Sequence, residues 1–294
     1  MRYNQLKWIF LFTLSIIWGS SFILIKKGLI GLTPLQLGSL RVVFTALVLF
    51  IVGFKKLKSI KKENWKWIVL SGFIGTFFPA FLFAFAETEV DSGVTSILNS
   101  LTPLNAVIIG GIVFKIIATK RQVVGVLIGF LGTALLIVQG AQLNPEQNYL
   151  YAGFVVAATL MYAVNVNLIK KYLQHEKPLA IATGNFVAII IPALLVLIAT
   201  GFFKPSNFQE TDFLNSLGFV FLLAVFGTAL AKVLFNKLIQ ISSPIFASSV
   251  TYVMTIVAVL WGVLDGEKLG FMQVLGGCII LVGVYLANKK PTTK

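Results

Sequence analysis

Laid over itself with an offset of 144 residues, this chain puts Trp18 on Tyr162, Lys26 and Lys27 on Lys170 and Lys171, and Pro34 on Pro178. With an offset of 152 residues, Gly75-Thr76 falls on Gly227-Thr228 and Ser96 on Ser248. Each copy contains about five apolar segments. An odd number of crossings forces the second copy to start from the opposite side of a membrane. The expected fold is therefore an all-α integral membrane protein built as two inverted five-helix repeats, 1–140 and 141–294, in one membrane domain. Such repeats enclose a binding site between the halves, near the bilayer midplane.

Composition supports lipid as the solvent. Of 294 residues 57% are hydrophobic and 12% charged, with a mean hydropathy of +0.93. A soluble domain of this size cannot bury so much apolar surface. The first apolar stretch, Trp8 to Ile25, has no small-residue cleavage site after it, and reads as a retained helix rather than a signal peptide. The single cysteine, Cys278, excludes an internal disulfide and argues against a cysteine metal site. Ten transmembrane helices are expected, near 7–25, 34–53, 66–85, 93–114, 121–138, 150–169, 178–200, 216–237, 243–264 and 270–287.

The net charge of +14 is a topology signal. With the N-terminus inside, 18 of the 24 basic residues fall in cytoplasmic segments and four, Lys26, Lys27, Lys204 and Lys268, in outer loops. This places both termini in the cytoplasm of a bacterial inner (plasma) membrane protein. It also removes nucleic acid as a partner and leaves the lipid bilayer and a small-molecule cargo. The lysine run at 54–65 is expected to lie against anionic headgroups.

Two basic residues break the apolar rule. Arg41 is seven residues past Pro34, and Lys232 about six residues from the inner end of helix 8. A basic residue at the centre of a membrane helix costs on the order of 2.5–3.5 kcal/mol, so such residues usually face the bundle interior or a wet cavity. Either could attract an anionic group on a cargo. The alternatives are snorkelling to the interface for Lys232 and a structural hydrogen bond to carbonyls of a neighbouring helix for Arg41.

Polar residues recur at helical spacing. Thr228, Lys232 and Asn236 form a stripe on helix 8, Ser96, Asn99 and Thr102 on helix 4, and Ser248, Tyr252 and Thr255 on helix 9. Helix 6 offers Tyr162 and Asn165, and its counterpart helix 1 offers Trp18 and Ser21. Asn185 stands in helix 7 where helix 2 has Arg41. A stripe serves equally as interhelical glue, at about 0.6 kcal/mol per hydrogen bond. The expected substrate-binding set is Trp18, Ser21, Arg41, Asn99, Tyr162, Asn165, Lys232, Asn236, Tyr252 and Thr255. Gly125, Gly129 and Gly132 on helix 5, and Gly276, Gly277 and Gly283 on helix 10, permit close packing, either within the bundle or at a homodimer contact. Pro79, Pro103 and Pro192 are expected to kink helices 3, 4 and 7. The phenylalanines of helix 3 (Phe77, Phe78, Phe81, Phe83, Phe85) face either lipid or an apolar pocket.

No helix carries a carboxylate near its middle, and the one histidine, His175, is in a loop. The sequence contains no phosphate-binding glycine loop, metal-ligand cluster or nucleophile triad, so neither an enzyme activity nor a cofactor is expected.

Trp18-Gly19-Ser20-Ser21-Phe22, Pro34 followed by Arg41, Phe235-Asn236-Lys237-Leu238, Gly266-Glu267-Lys268-Leu269 and the following Gln273, Gly276 and Gly283 resemble the signature of the drug/metabolite transporter superfamily, in particular its ten-helix EamA-type permeases. The resemblance implies a basket of helices 1–4 and 6–9 around a central cavity, helices 5 and 10 to the side, and export or exchange of amino acids or related metabolites. Three positions depart from the pattern: Lys115 stands where the first copy usually matches Glu267, Thr255 where the second copy often has the partner of Pro103, and Lys232 is outside the general signature. The expected function is alternating-access transport of a small zwitterionic or anionic metabolite. Alternatives are a phosphate-bearing cargo, such as a sugar phosphate or nucleotide sugar, and a non-transporting scaffold.

Overall fold

The computed structural model describes residues 3–116, 118–143, 148–266 and 271–288, and contains no strand among them. Eight of its helical segments are long and apolar enough to cross a bilayer. They include α1 (Tyr3–Gly28), α2 (Pro34–Gly53), α3 (Lys62–Ala86) and α4 (Ser92–Ile112). After a further helix, α5 (Lys120–Leu143), come α6 (Ala152–Tyr172), α7 (Pro178–Ala199), α8 (Thr211–Ile241) and α9 (Pro244–Leu264), and the last is α10 (Phe271–Asn288). The readings that rest on Arg2, Glu146, Glu267, Lys268, Leu269, Lys289, Lys290 and Lys294 lie outside the described residues.

Starts are set by side-chain caps. Thr33 Oγ1 accepts from Gln36 N at 3.3 Å while Thr33 N donates to Gln36 Oε1 at 3.0 Å, a reciprocal cap one residue before Pro34. Thr119 and Gln122 repeat the device ahead of α5, and Ser243 Oγ accepts from Phe246 N at 3.1 Å ahead of α9. Within α3 and α8 the helical ladder widens into π-helical turns, Phe73–Phe77 and Leu223–Leu230. These turns carry the two Gly-Thr pairs of the repeat. Pro79 follows the first and fits such a turn, because it has no N–H to bond backwards. The second has no proline. Helices α4 and α9 are each broken in two, at Ser100–Leu101 and at Ser249, and Pro103 sits just past the first break. Pro192 remains inside an unbroken α7.

Contacts between helices come in matched pairs. α1 packs on α9 and α6 on α4; α1 packs on α8 and α6 on α3; α2 and α7 pack on each other. α5 and α10 pack together, and the glycines explain how. A Cβ on Gly283 would stand 2.5 Å from Gly129 N and 2.7 Å from Gly125 O, so the two backbones touch directly. These three glycines are thus used within the chain. Outward faces are apolar: Ile112, Ile191, Leu195 and Phe271 are all exposed. That surface suits lipid and would associate in water.

Several boundaries differ from the sequence reading. α8 ends at Ile241 rather than near 237, so Lys232 lies nine residues from its end, roughly 14 Å deep. Lys26 and Lys27 belong to the last turn of α1 rather than to a loop. Lys115 ends α4 in the left-handed region (φ 55°), as Gly266 ends α9 (φ 96°). By backbone conformation Lys115 therefore corresponds to Gly266, one residue away from the match with Glu267. Ile116 N closes that end on Gly110 O at 2.8 Å.

The glycine seam yields a direct prediction. Gly283→Val places side-chain atoms against backbone that cannot yield. It is expected to destabilise the protein by about 1–3 kcal/mol, seen as a lower melting temperature of the detergent-solubilised protein, whereas Gly218→Ala, with open space around it, leaves that temperature unchanged.

Candidate functional site

A cavity opens between the halves where the two π-helical turns face each other. Its volume is about 100 Å³, against roughly 10–15 Å³ needed to hold one water, so a small solute fits. Its lining comes from α1, α2, α3, α4, α6, α8 and α9.

Each π-helical turn is held by side chains of other helices. Lys232 Nζ, on α8, donates to Gly75 O and to Thr76 Oγ1, both at 2.7 Å, on α3. Trp18 Nε1, on α1, donates to Gly227 O at 2.8 Å, on α8. Arg41 Nε, on α2, donates to Thr228 Oγ1 at 2.8 Å. The glycines themselves admit close neighbours: a Cβ on Gly75 would meet Asn165 Nδ2 at 2.4 Å, and one on Gly227 would meet Ser21 Oγ at 2.6 Å. Ser21 and Asn165 are matched positions of the repeat, offset by 144 residues. Asn165 Oδ1 is fixed by Ser71 Oγ at 2.7 Å. Asn185, the counterpart of Arg41, donates to Ile68 O at 2.7 Å.

Aromatic rings form the walls. Phe83 stacks on Tyr162 at 6.0 Å between centroids, Phe22 meets Phe83 edge-on at 6.0 Å, and Trp18 meets Phe235 at 4.8 Å. Of the helix-3 phenylalanines, Phe83 lines the cavity, Phe77 and Phe81 are buried in packing, and Phe78 is exposed on the outside. Among the described residues no cluster of His, Cys, Asp or Glu could hold a metal ion.

The cavity gathers Trp18, Ser21, Arg41, Asn99, Tyr162, Asn165 and Lys232. Asn236, Tyr252 and Thr255 do not line it. Asn236 lies one turn deeper and donates to Pro178 O at 3.3 Å. Tyr252 turns away, packs on Gly129 and donates to Val126 O at 3.4 Å. Thr255 Oγ1 bonds to Ser96 and Ser100 of α4, at 3.1–3.2 Å. The break at Ser249 rotates α9, so that Thr251 and Met254 face inward instead of their neighbours. The snorkelling alternative for Lys232 is overturned, because its ammonium reaches across to α3 and the side chain is buried. Arg41 and Lys232 also come near one another. Thr228, the partner of Arg41, is one helical turn from Lys232. Sequence reasoning left Gly75, Thr76, Thr228 and Thr251 off the site; the recurring Gly-Thr pairs were the available signal for three of them.

The two ends of the bundle are fastened differently. At the end holding Gly28 and Leu264, Lys26 and Lys27 on α1 pair with Asp265, just past α9, at 2.8 and 2.6 Å. Hydrogen bonds from Lys26 and Lys27 hold the Asp265 carboxyl below the usual carboxylate range. At the other end, Lys170 Nζ donates to the carbonyls of Ile239, Gln240 and Ser242 at 3.2, 3.2 and 2.6 Å, capping the end of α8. Beside it the buried Glu176 accepts from Asn64 Nδ2 at 2.7 Å and Lys61 N at 3.2 Å.

A model of the EamA-like transporter family matches residues 6–138 and again residues 150–289. The chain belongs to the EamA-like transporter family. This EamA-like protein is 26% identical over 287 residues to an uncharacterized transporter of Archaeoglobus fulgidus, covering 97% of this chain and 99% of that one. It is 27% identical over 307 residues to the uncharacterized inner membrane transporter YedA of Escherichia coli K12 (99% and 96% covered). It is also 24% identical over 284 residues to a probable amino-acid metabolite efflux pump of Salmonella typhimurium (92% and 91% covered). A crystal structure with 16% identity shares the fold, with a TM-score of 0.71 over 95% of each chain. Like its relatives, this EamA-like chain is a multi-pass membrane transporter.

The Asp265 clasp sets a pH dependence. A lowered carboxyl pKa contributes stability above the unfolded value, about 3.9, and loses it as pH falls through the folded value beneath that. Melting curves of wild type and Asp265→Asn are therefore expected to differ by a constant amount from pH 5 to 8 and to converge below pH 3.9.

Proposed function

We propose that the protein is a secondary transporter of the alternating-access type, exporting or exchanging a small zwitterionic or anionic metabolite across a bacterial inner membrane. The observation that carries the reading is the cavity itself. It lies between the halves, holds two basic side chains, and is crossed by the links from Lys232 to Gly75 and Thr76 and from Arg41 to Thr228. The halves would be inverted five-helix repeats, with α5 and α10 as the fifth and tenth crossings and both termini cytoplasmic. The double match of the family model, the paired helix contacts and the paired π-helical turns support this arrangement. In that orientation the Lys26–Asp265–Lys27 clasp faces outward and the Lys170 cap faces the cytoplasm. Opening one end while the other stays fastened is the motion alternating access requires. The description of the Salmonella relative as an amino-acid metabolite efflux pump supports the cargo class.

A phosphate-bearing cargo is the second reading, favoured by the approach of Arg41 toward Lys232 through Thr228. Counterflow in proteoliposomes with amino acids, organic acids and phosphate esters, with and without a pH gradient, tests both. Lys232→Ala is expected to lower flux at least tenfold, while Tyr252→Phe, outside the cavity, leaves it within about twofold. Wild-type flux in Lys232→Ala would take the lysine out of the cargo path.

A further inference from the structure

The charges and hydrogen bonds of the cavity discriminate between the cargo classes just named. Two basic side chains line it, Arg41 and Lys232, and no acidic one does. Arg41 Nε is taken by Thr228. Lys232 has no carboxylate partner among the described residues; its partners are a carbonyl and a hydroxyl. An ammonium has three N–H donors, and these two partners leave one for a ligand. No carboxylate in the cavity lining offsets the lysine.

The hydrogen-bond inventory points the same way. Gly75 O, Gly227 O, Asn99 Oδ1 and Asn165 Oδ1 each already accept a bond from the protein. The amide groups of Asn99 and Asn165 have no acceptor among the described residues, and remain as donors. For a ligand ammonium the lining offers only neutral oxygens, such as the hydroxyls of Ser21, Ser248 and Thr251, which donate to their own helices. Neutral acceptors give about half the strength of ionised ones.

We infer that the preferred cargo is a monoanionic carboxylic acid with an apolar skeleton, its carboxylate on Lys232 and the Asn99 and Asn165 amides, its skeleton among Trp18, Phe83 and Tyr162. A zwitterion of the same skeleton is the poorer ligand, because its ammonium loses water and meets no fixed negative charge. A phosphate dianion is poorer as well, because Lys232 has one N–H left to offer it, Arg41 Nε is taken by Thr228, and a second charge loses more water on burial. This inference rests on the cavity being the cargo site.

The test is equilibrium binding to the purified full chain in detergent, by calorimetry, at pH 7. The probes share one ring: 3-phenylpropionate, phenylalanine, phenylethylamine and phenyl phosphate. Isocaproate and leucine supply a second skeleton. Each carboxylate is expected to bind at least tenfold tighter than the matching amino acid, with phenylethylamine weakest. Lys232→Gln keeps a donor for Gly75 O but no charge, and is expected to cut the acid-to-zwitterion ratio to within about twofold. Lys232→Arg is expected to preserve it. Tighter binding of the amino acids or of phenyl phosphate overturns the inference, as does failure of both carboxylates to bind, or an undiminished ratio in folded Lys232→Gln. Counterflow of the same probes separates the two ideas. Flux of phenylalanine without preference for the acid sinks the inference and leaves transport standing. Tight binding of the acids without flux of any probe does the reverse.

Discussion

A carbonyl turned out of its helical ladder inside a bilayer has no water to meet, and a buried ammonium has no solvent to spread its charge. In this protein each need answers the other. The π-helical turn of α3 presents Gly75 O, and Lys232 comes from α8 to meet it. The matching turn of α8 presents Gly227 O, and Trp18 comes from α1. A cation that costs several kcal/mol to bury is tolerated because two of its three donors are taken by the opposite half. Both turns line the cavity. The glycines at their centres let Asn165 and Ser21 approach where any Cβ would collide.

Asymmetry within the pair gives the site its character. Position 228 receives Arg41 and position 76 receives Lys232, but the two cations come from different places in the repeat. Arg41 has Asn185 as its counterpart, a neutral amide that bonds Ile68 O outside the cavity. Lys232 has Ala80, buried in packing. Two similar halves therefore make one chamber with both cations in it and no acid in its lining.

Much of this was legible in the residues. Offsets of 144 and 152 residues located the matched helices, and the apolar runs located the eight candidate spans, because membrane helices announce themselves by length and hydropathy alone. Trp18, Arg41, Asn99 and Lys232 break the apolar pattern, and the structure brings them to one cavity. What a periodicity of 3.6 residues per turn cannot register is a change in the turn itself. The break at Ser249 moved the inward face of α9 by one residue, exchanging Tyr252 and Thr255 for Thr251 and Met254. The π-helical turns gave Gly75 and Thr76 a role that spacing alone does not assign. The end of α8 was misjudged for a related reason: Lys237 reads as a polar stop, yet the helix runs on to Ile241 with Lys170 capping its last carbonyls.

The fastenings at the two ends also differ in kind. One is a triad of full charges on partly exposed side chains; the other is an ammonium resting on backbone oxygens. Dissolved electrolyte weakens the first much more than the second, since mobile ions screen exposed charges over about a Debye length and do little to a cation already seated among dipoles. The molecule is thereby sensitive to the ionic surroundings on one side only: brine on the Asp265 side loosens that rim, and the Lys170 side stays shut.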